Sequence, residues 1–363
     1  MIKKELIIIG GGPSGLCAAK MAVDAGIRVL LIDRSPKLGG QLIKQTHKFF
    51  GSKAQYAKTR GFDIARLLID QVKNPLIEIL QEATVVGLYE DKVVTVYHED
   101  TYTKYQADRV IVATGASEKF LAFENNDLPG IYGAGAVQTL MNLYGVLPGQ
   151  EIIMVGSGNI GLIVSYQLLQ AGVHVKAIIE AAPSIGGYKV HASKIRRLGV
   201  PIWTQTTVQK AIGKDHLEAV ELVSLDEKWR PIDGSERVEK VDALCISVGL
   251  SPMHQLLSMV NAKTKYVTEL GGFVPVIDAH HQTSVPGIYA CGDAVGIEEA
   301  SSAMMEGYLT GLYVCEDMCK PHPEQQTLKD KYEHELDMLR NGPFGIKTKI
   351  GLEKLRKGEV HAK

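Results

Sequence analysis

The 363-residue sequence contains no CxxC pair and only five cysteines, at positions 17, 245, 291, 315 and 319. An odd, scattered set of this kind excludes a disulfide framework and matches thiols kept reduced in the cytoplasm. Charge of one sign is lacking too: 40 Lys and Arg stand against 41 Asp and Glu, a net charge of −1. That balance leaves no electrostatic basis for binding nucleic acid or an anionic membrane. No apolar run approaches the ~18 residues of a membrane span. Met1-Ile2-Lys3-Lys4-Glu5 runs into a strand without the apolar core and cleavage site of a signal peptide, so a cytoplasmic location is expected. His280-His281 lacks convergent ligands, and no metal site is expected. No Ser-His-Asp set and no cysteine in a positive pocket stands out. What is plentiful is glycine: 37 residues, about a tenth of the chain against a usual ~7%. Such an excess points to sharp bends and close approaches of backbone to ligand.

The chain repeats itself once. Leu6-Ile7-Ile8-Ile9 leads into Gly10-Gly11-Gly12-Pro13-Ser14-Gly15, then a helical segment to Ala25, Gly26, and the run Val29-Leu30-Leu31-Ile32 ending at Asp33. Far downstream, Ile152-Ile153-Met154-Val155 leads into Gly156-Ser157-Gly158-Asn159-Ile160-Gly161, a helical segment to Ala171, Gly172, a strand and Glu180. The loops that follow also match, Pro36-Lys37-Leu38-Gly39-Gly40 with Pro183-Ser184-Ile185-Gly186-Gly187. One GxGxxG is weak evidence. Two copies, each after a strand and each followed by an acid 23 or 24 residues past the first glycine, make a strong dinucleotide-binding signal. The first glycine makes the tight turn, the second admits a pyrophosphate, and the third lets helix pack on strand. The uncapped helix start then faces the phosphates, and the acid accepts hydrogen bonds from the adenosine ribose. Glu180, with Ala181 and Ala182 after it and no arginine, favours NAD over NADP.

Three further strand-and-turn segments follow: Val110–Gly115, Ala243–Gly249 before Pro252, and Gly287–Asp293 before a helix from about Glu298. Residues 76–106 and 202–241 alternate like hairpin strands, with polar turns at Glu90-Asp91-Lys92, Gly213-Lys214-Asp215 and Asp233-Gly234.

These landmarks, in this order over roughly residues 5–315, resemble the flavoproteins with two dinucleotide-binding domains of the pyridine nucleotide–disulfide oxidoreductase superfamily. The resemblance implies an α/β fold with two Rossmann-like domains in a thioredoxin-reductase-like arrangement. An NAD(H) domain (119–251) would be inserted in a discontinuous FAD domain (1–118 and 252–320), with a charged helical tail at 321–363. It implies FAD contacts at Gly10, Gly12, Pro13, Ser14, Gly15, Asp33, Arg34, Gly40, Gln41, Leu42, Thr46, Val85, Thr114, Gly115, Gly292, Asp293 and Ala300. For NAD(H) it implies Gly156, Gly158, Asn159, Ile160, Gly161, Glu180 and Gly249. The helix after Asp293 would point its N-terminus at the flavin ring, where its dipole favours negative charge on reduced flavin. The missing CxxC is a departure from the disulfide reductases of this superfamily. Cys315 and Cys319 read as packing residues on one face of a late helix.

A narrower resemblance rests on Gly39-Gly40-Gln41-Leu42-Ile43-Lys44-Gln45-Thr46-His47-Lys48-Phe49-Phe50-Gly51 and on Gly186-Gly187-Tyr188-Lys189-Val190-His191-Ala192 with Lys194-Ile195-Arg196-Arg197. Both are similar to α subunits of heteromeric sarcosine oxidases, dye-linked proline dehydrogenases, hydrogen cyanide synthases and opine oxidases. The resemblance implies an oligomer in which a second flavoprotein subunit oxidises a C–N bond. Such subunits often carry a cysteine-rich iron–sulfur module at the C-terminus; here the tail after Lys320 has no cysteine, so an iron–sulfur centre, if the complex needs one, would sit on a separate protein. In that tail Leu328, Tyr332, Leu336 and Leu339 form one apolar stripe, read as packing on its own domain, before Gly342-Pro343-Phe344-Gly345 breaks the helix.

His47 is the candidate proton donor or acceptor near the flavin, against a structural role for a lone loop histidine. Lys44 and Lys48 read as solvated surface. His191, Lys194, Arg196 and Arg197 either help hold the NAD phosphates or form a solvated helix face. The expected function is an FAD-dependent, NAD(H)-linked oxidoreductase serving as the electron-transfer subunit of an amino- or imino-acid dehydrogenase or oxidase complex. Two alternatives stay open. One is a self-sufficient NADH-dependent reductase or oxidase of a small-molecule substrate. The other is a module whose second site holds another adenine nucleotide.

Overall fold

The computed structural model describes residues 1–50, 52–342 and 345–357, which divide into two compact units, Met1–Ser117 with Ser251–Lys363 and Glu118–Leu250. The first unit opens with β1 (Ile2–Ile9), α1 (Pro13–Asp24) and β2 (Val29–Ile32), followed by α2 (Gly61–Gln71), β3 (Ile77–Leu80), β4 (Thr84–Leu88), β5 (Val93–His98), β6 (Thr101–Val112) and the short β7 (Ala116–Glu118). Its sheet runs β3-β2-β1-β6-β5-β4. β3, β2, β1 and β6 are mutually parallel, whereas the first half of β6 pairs antiparallel with β5, and β5 with β4. Leu6–Ile9 can be apolar without interruption because both faces of this sheet are covered. Leu6 and Ile8 enter a core with α1 and α2, while Ile7 and Ile9 enter a second core on the opposite face. The hairpin reading of residues 76–106 holds for β4 to β6 and fails for β3. β3 follows the α2 crossover, which returns the chain parallel to β2.

The second unit repeats this plan. It holds β8 (Ile131–Gly133), α3 (Ala134–Tyr144), β9 (Glu151–Val155), α4 (Asn159–Gln170), β10 (His174–Glu180), α5 (Lys189–Arg197), β11 (Ile202–Thr204), β12 (Thr206–Ile212), β13 (Ala219–Ser224), β14 (Arg237–Lys240), β15 (Ala243–Ile246) and the start of β16 (Leu250–Pro252). The five-stranded sheet β11-β10-β9-β15-β8 is parallel throughout, and β12-β13-β14 form a separate antiparallel meander. As in the first unit, the strand after a helical crossover, here β11, leaves the expected hairpin series and joins the parallel sheet.

The chain returns to the first unit with α6 (Gln255–Met259), β17 (Thr264–Val267), β18 (Gly272–Pro275), β19 (Ile288–Ala290), α7 (Ala300–Asp317), α8 (Gln325–Arg340) and α9 (Gly345–Lys357). β19 pairs parallel with β6, so this half also contains a parallel order β3-β2-β1-β6-β19. α7 is buried along nearly its whole length against α1. A Cβ at Gly307 would lie 2.2 Å from the Ser14 carbonyl oxygen, so only glycine lets the two helices come this close.

The tail stripe lies on this unit. Tyr332 and Leu336 are buried in the α1–α7 core, and Tyr332 stacks on Tyr308 with ring centroids 4.5 Å apart. Each such burial is worth about 2 kcal/mol. Pro343 and Phe344 of the expected helix break fall outside the described residues, as does Gly51. Cys315 and Cys319 do not share a helix face, because α7 ends at Asp317. Cys315 is buried, whereas Cys319 is exposed in a left-handed turn with φ 54°. Among the described residues no helix is long and apolar enough to cross a membrane.

Candidate nucleotide sites

In each sheet the glycine loop leaves the central strand where the strand order reverses, the place where such sheets bind ligands. The two loops are congruent. Gly10 donates to Ile32 O at 2.8 Å and Gly156 to Ile179 O at 2.7 Å. Gly10 (φ +110°) and Gly156 (φ +101°) press against the next strand's end: a Cβ on either would stand 2.2 Å from the carbonyl oxygen of Ala113 or Ser247. On the third glycine a Cβ would stand 1.8 Å from Gly10 O in one loop and 2.2 Å from Gly156 O in the other.

The second glycine differs in kind. At Gly12 a Cβ would meet only the Gly40 Cα, at 3.8 Å, and at Gly158 nothing within 4 Å. α1 and α4 begin on these glycines, in extended conformation and without a side-chain cap. An open backbone cradle thus faces two sets of helix-start N–H groups, which is what a pyrophosphate requires.

Both acids are anchored alike. Asp33 accepts from Gly11 N (2.6 Å) and Ser35 N (2.7 Å). Glu180 accepts from Ser157 N (2.9 Å) and Ala182 N (3.0 Å). Each carboxylate is held beside its glycine loop with lone pairs to spare for ribose hydroxyls. The repeated Gly-Gly turns also acquire a purpose. Gly39 donates to Gly11 O (2.8 Å) and Gly187 to Ser157 O (2.9 Å). A Cβ on Gly40 or Gly187 would stand 2.9 Å from the backbone of the neighbouring glycine loop.

Of the other first-unit candidates, Gly292 lies against the same loop. Gly292 (φ +67°) packs on Ser14, whose Oγ would be 2.5 Å from a Cβ there. Asp293 follows, and Ala300 opens α7. Thr114 Oγ1 donates to Met253 O (2.7 Å), and Met253 N donates to Gly115 O (2.9 Å), which closes the turn after β6. Ala83 N donates to Asp33 O (3.0 Å), setting β4 and Val85 behind the acid. Gln41 and Arg34 are exposed, and Leu42 is fully buried. Thr46 O accepts from Arg60 Nη1 (2.7 Å). The half-buried His47 ring stacks on Phe49 at 5.8 Å, which restricts its orientation.

In the second unit Asn159 Oδ1 accepts from Tyr188 N (2.8 Å), tying the α5 loop to the α4 start. Ile160 and Gly249 are exposed. The basic group on α5 splits: Arg196 and Arg197 face solvent, Lys194 lies over the Tyr166 ring, and His191 is buried. Burial first, then Lys194, lowers the His191 pKa, so this histidine contributes little positive charge at neutral pH.

The buried thiols are not activated. Cys17, Cys245, Cys291 and Cys315 are buried, and burial pushes all four thiols up, Cys291 and Cys315 to about 12, whereas reactive thiols are lowered. Near the start of α3, Gly135 N donates to the Glu118 carboxylate (2.6 Å), a charge that raises the Cys245 thiol further. No group of three or more metal-ligating side chains occurs among the described residues.

Sequence reasoning missed a buried charge cluster behind the Gly292–Asp293 turn. Glu306 Oε2 accepts from Gly292 N (2.8 Å), and Glu298 N donates to Asp293 Oδ1 (3.3 Å). Arg340 at the end of α8 pairs with both glutamates. Burial, opposed by the Glu298 N–H and reinforced by Glu306 and Glu298, raises the Asp293 carboxyl to about 7. The only signal was three acids within residues 293–306 and an arginine 34 positions after the last of them.

Known proteins resemble the chain along most of its length. It is 26% identical over 345 residues to the alpha subunit of a Rhizobium meliloti sarcosine oxidase, covering 91% of this chain and 32% of that one. With the A subunit of an Agrobacterium tumefaciens opine oxidase it shares 24% over 367 residues, covering 94% and 71%. The chain thus spans about a third of the sarcosine oxidase polypeptide it matches. The crystal structure of T. acidophilum thioredoxin reductase superposes with a TM-score of 0.72 at 22% identity, over 88% of this chain and 100% of that one, and establishes the likeness of fold. Residues 4–307 match the model of the pyridine nucleotide-disulphide oxidoreductases, and the chain belongs to that family of oxidoreductases.

Proposed function

We propose that the chain binds FAD in its first unit and NAD(H) in its second, and that it is the electron-transfer subunit of an amino- or imino-acid dehydrogenase or oxidase complex. The observation that carries the reading is the congruence of the two loops, each with one glycine open to a ligand and an anchored acid beside it. The bound cofactors supply the hydride and electron chemistry. This chain's residues do the rest. Gly12, Pro13, Ser14 and Gly15 hold the FAD pyrophosphate at the α1 start, and Asp33 holds its ribose. Thr114-Gly115 and Gly292-Asp293 close on the nucleotide, while Gly40–Leu42 and Thr46 flank the ring side. Ala300 begins the helix whose positive end faces developing negative charge. Gly158, Asn159 and Gly161 take the second pyrophosphate, and Glu180 repels a 2′-phosphate. To His47 we assign the holding or moving of a proton beside the ring.

The absence of a paired, activated thiol among the described residues removes the disulfide relay, which leaves hydride and electron exchange with a partner. The relatives named as subunits of sarcosine and opine oxidases support a C–N bond as the substrate class and a partner subunit, which we take to be a second flavoprotein. A separate iron–sulfur protein and a cytoplasmic location belong to the same reading. An anaerobic spectrum of the purified chain before and after NADH tests it. Bleaching of the flavin band is expected. A flavin that stays oxidised, with tight binding of another adenine nucleotide, would overturn the NAD(H) assignment. Copurification from the native host tests the complex, and full turnover by this chain alone would exclude the role of a subunit.

A further inference from the structure

The tail helices α8 and α9 lie beyond the family match, which ends at residue 307, yet one tail side chain reaches the core of the first unit. Arg340 is 13% exposed, and the Glu298 and Glu306 side chains it pairs with are 8% and 7% exposed. Its Nε donates to Glu298 Oε1 and Oε2 at 3.1 and 3.3 Å, and its Nη2 reaches Glu298 Oε1 and Glu306 Oε1. Each glutamate in turn leads into one turn of the backbone. The other oxygen of Glu306 accepts from Gly292 N, and the backbone N–H of Glu298 donates to Asp293. α7 begins just beyond, at Ala300, with no side-chain cap.

One guanidinium therefore serves two buried carboxylates, with a third acid alongside. Burial and Glu306 already raise the Glu298 pKa, and Arg340 holds it down. Remove the guanidinium and two uncompensated carboxylates remain in a water-poor site, which either take up protons or pull the turn apart. Other titratable groups line the two cavities that share Arg340: Asp278 and His281 from the segment before β19 on the side of the glutamates, and Tyr313 from α7, Glu333 and Asp337 from α8, and Lys349 and Glu353 from α9 on the other.

We propose that Arg340 is a positioning residue for flavin binding: by balancing Glu298 and Glu306 it keeps the Gly292–Asp293 turn shaped to receive the flavin nucleotide. The proposal rests on the assignment of FAD to the first unit. It gives the tail a function beyond apolar packing, as a clip that carries charge to the back of the cofactor turn.

FAD content after gel filtration, and FAD affinity of the stripped full-length chain from flavin fluorescence, are measured from about pH 6 to about pH 9. The wild type is compared with R340Q, R340K and E298Q/E306Q/R340Q. Affinity of R340Q should fall roughly tenfold at high pH, and the loss should shrink toward low pH as the carboxylates take up protons. R340K should be intermediate, because an ammonium keeps the charge and loses the fork. In the triple variant the new amide oxygen at position 306 still accepts from Gly292 N, so affinity should return to within about threefold of wild type. A pH slope that survives in the triple variant belongs to His281 or Asp293 and counts against the proposal. R340Q binding FAD like wild type at high pH, or a pH-independent loss that the triple variant does not repair, would overturn it. If R340Q does not fold, a folded, flavin-loaded triple variant supports the proposal, and a folded triple variant without flavin, or an unfolded one, counts against it. A wild-type chain that binds no FAD would instead remove the cofactor assignment itself.

Discussion

The two units present the same glycine loop, the same anchored acid and the same order of parallel strands, yet they are finished differently. In the first, the loop is enclosed: Gly292 packs on Ser14, α7 packs on α1, and the tail closes behind them. In the second unit α3, which follows β8 as α7 follows β19, packs on α4 in the same way, but it has 11 residues where α7 has 18, and Ile160 and Gly249 remain exposed. The enclosed loop suits a cofactor that stays, and the open loop suits one that comes and goes. The shared motif creates the cradle, and the elements laid over it set how tightly a ligand is kept.

The largest test separates packing glycines from cradle glycines within each loop. G15A and G161A place a Cβ on a backbone oxygen at 1.8 and 2.2 Å, which cannot yield as a side chain end would. Each should cost about 3 kcal/mol and read as a lowered melting temperature or as insoluble protein. G12A and G158A place it in open space, so the fold should stand while the cognate nucleotide is lost. If G12A unfolds the chain as G15A does, the division of labour is wrong.

A smaller effect is expected at the acids. E180A should relax the preference for NADH over NADPH, read as the ratio of flavin-reduction rates with the two donors. It also strips Ser157 N and Ala182 N of their acceptor, at about 1 kcal/mol each, and D33A does the same to Gly11 N and Ser35 N. An unchanged ratio in E180A would mean that Glu180 is an architectural strut only.

Asp293 marks a further difference, since no acid stands in Gly133-Ala134-Gly135 at the end of β8, the second unit's counterpart of β19. Burial raises its pKa to about 7, well above the usual aspartate range. The neutral form is thus the one folding favours. The stability this group contributes is present below its unfolded pKa and lost as pH rises through about 7. In the flavin-free chain D293N should flatten the fall of the urea midpoint between about pH 4 and pH 7. An unaltered slope would move the titration to Glu298, whose pKa burial also raises.

Much of this is legible from residues. Both loops, both acids and the turns that close on them stand out because a backbone that bends back on itself at Gly10 or Gly156 leaves an unmistakable residue choice. The alternating strands are legible as well, but β3 and β11 are not assigned correctly from pattern, since a parallel edge strand and a hairpin strand share one period. The Arg340–Glu298–Glu306 cluster is not legible: three charged residues in a chain with 40 basic and 41 acidic ones carry no local pattern, and only tertiary structure buries these together. Cys319 fails for a related reason, because α7 ends at Asp317 with no glycine after it, and Pro321 does not by itself mark which residue is the last of the helix.

The smallest expected effect comes from making one loop like the other. Ser157 occupies the place of Gly11, is fully buried, donates from Oγ to Glu180 Oε2 (2.6 Å) and accepts from Gly186 N (3.1 Å). Its hydroxyl uses a lone pair that Asp33, facing Gly11, keeps. S157G should therefore cost about 1 kcal/mol through the lost hydroxyl bonds while freeing Glu180 to accept more from a ribose. The melting temperature should drop slightly while NADH affinity holds or rises. Should NADH affinity fall with stability instead, the hydroxyl orients the acid for the ribose, and the second loop is tuned where the first is merely shaped.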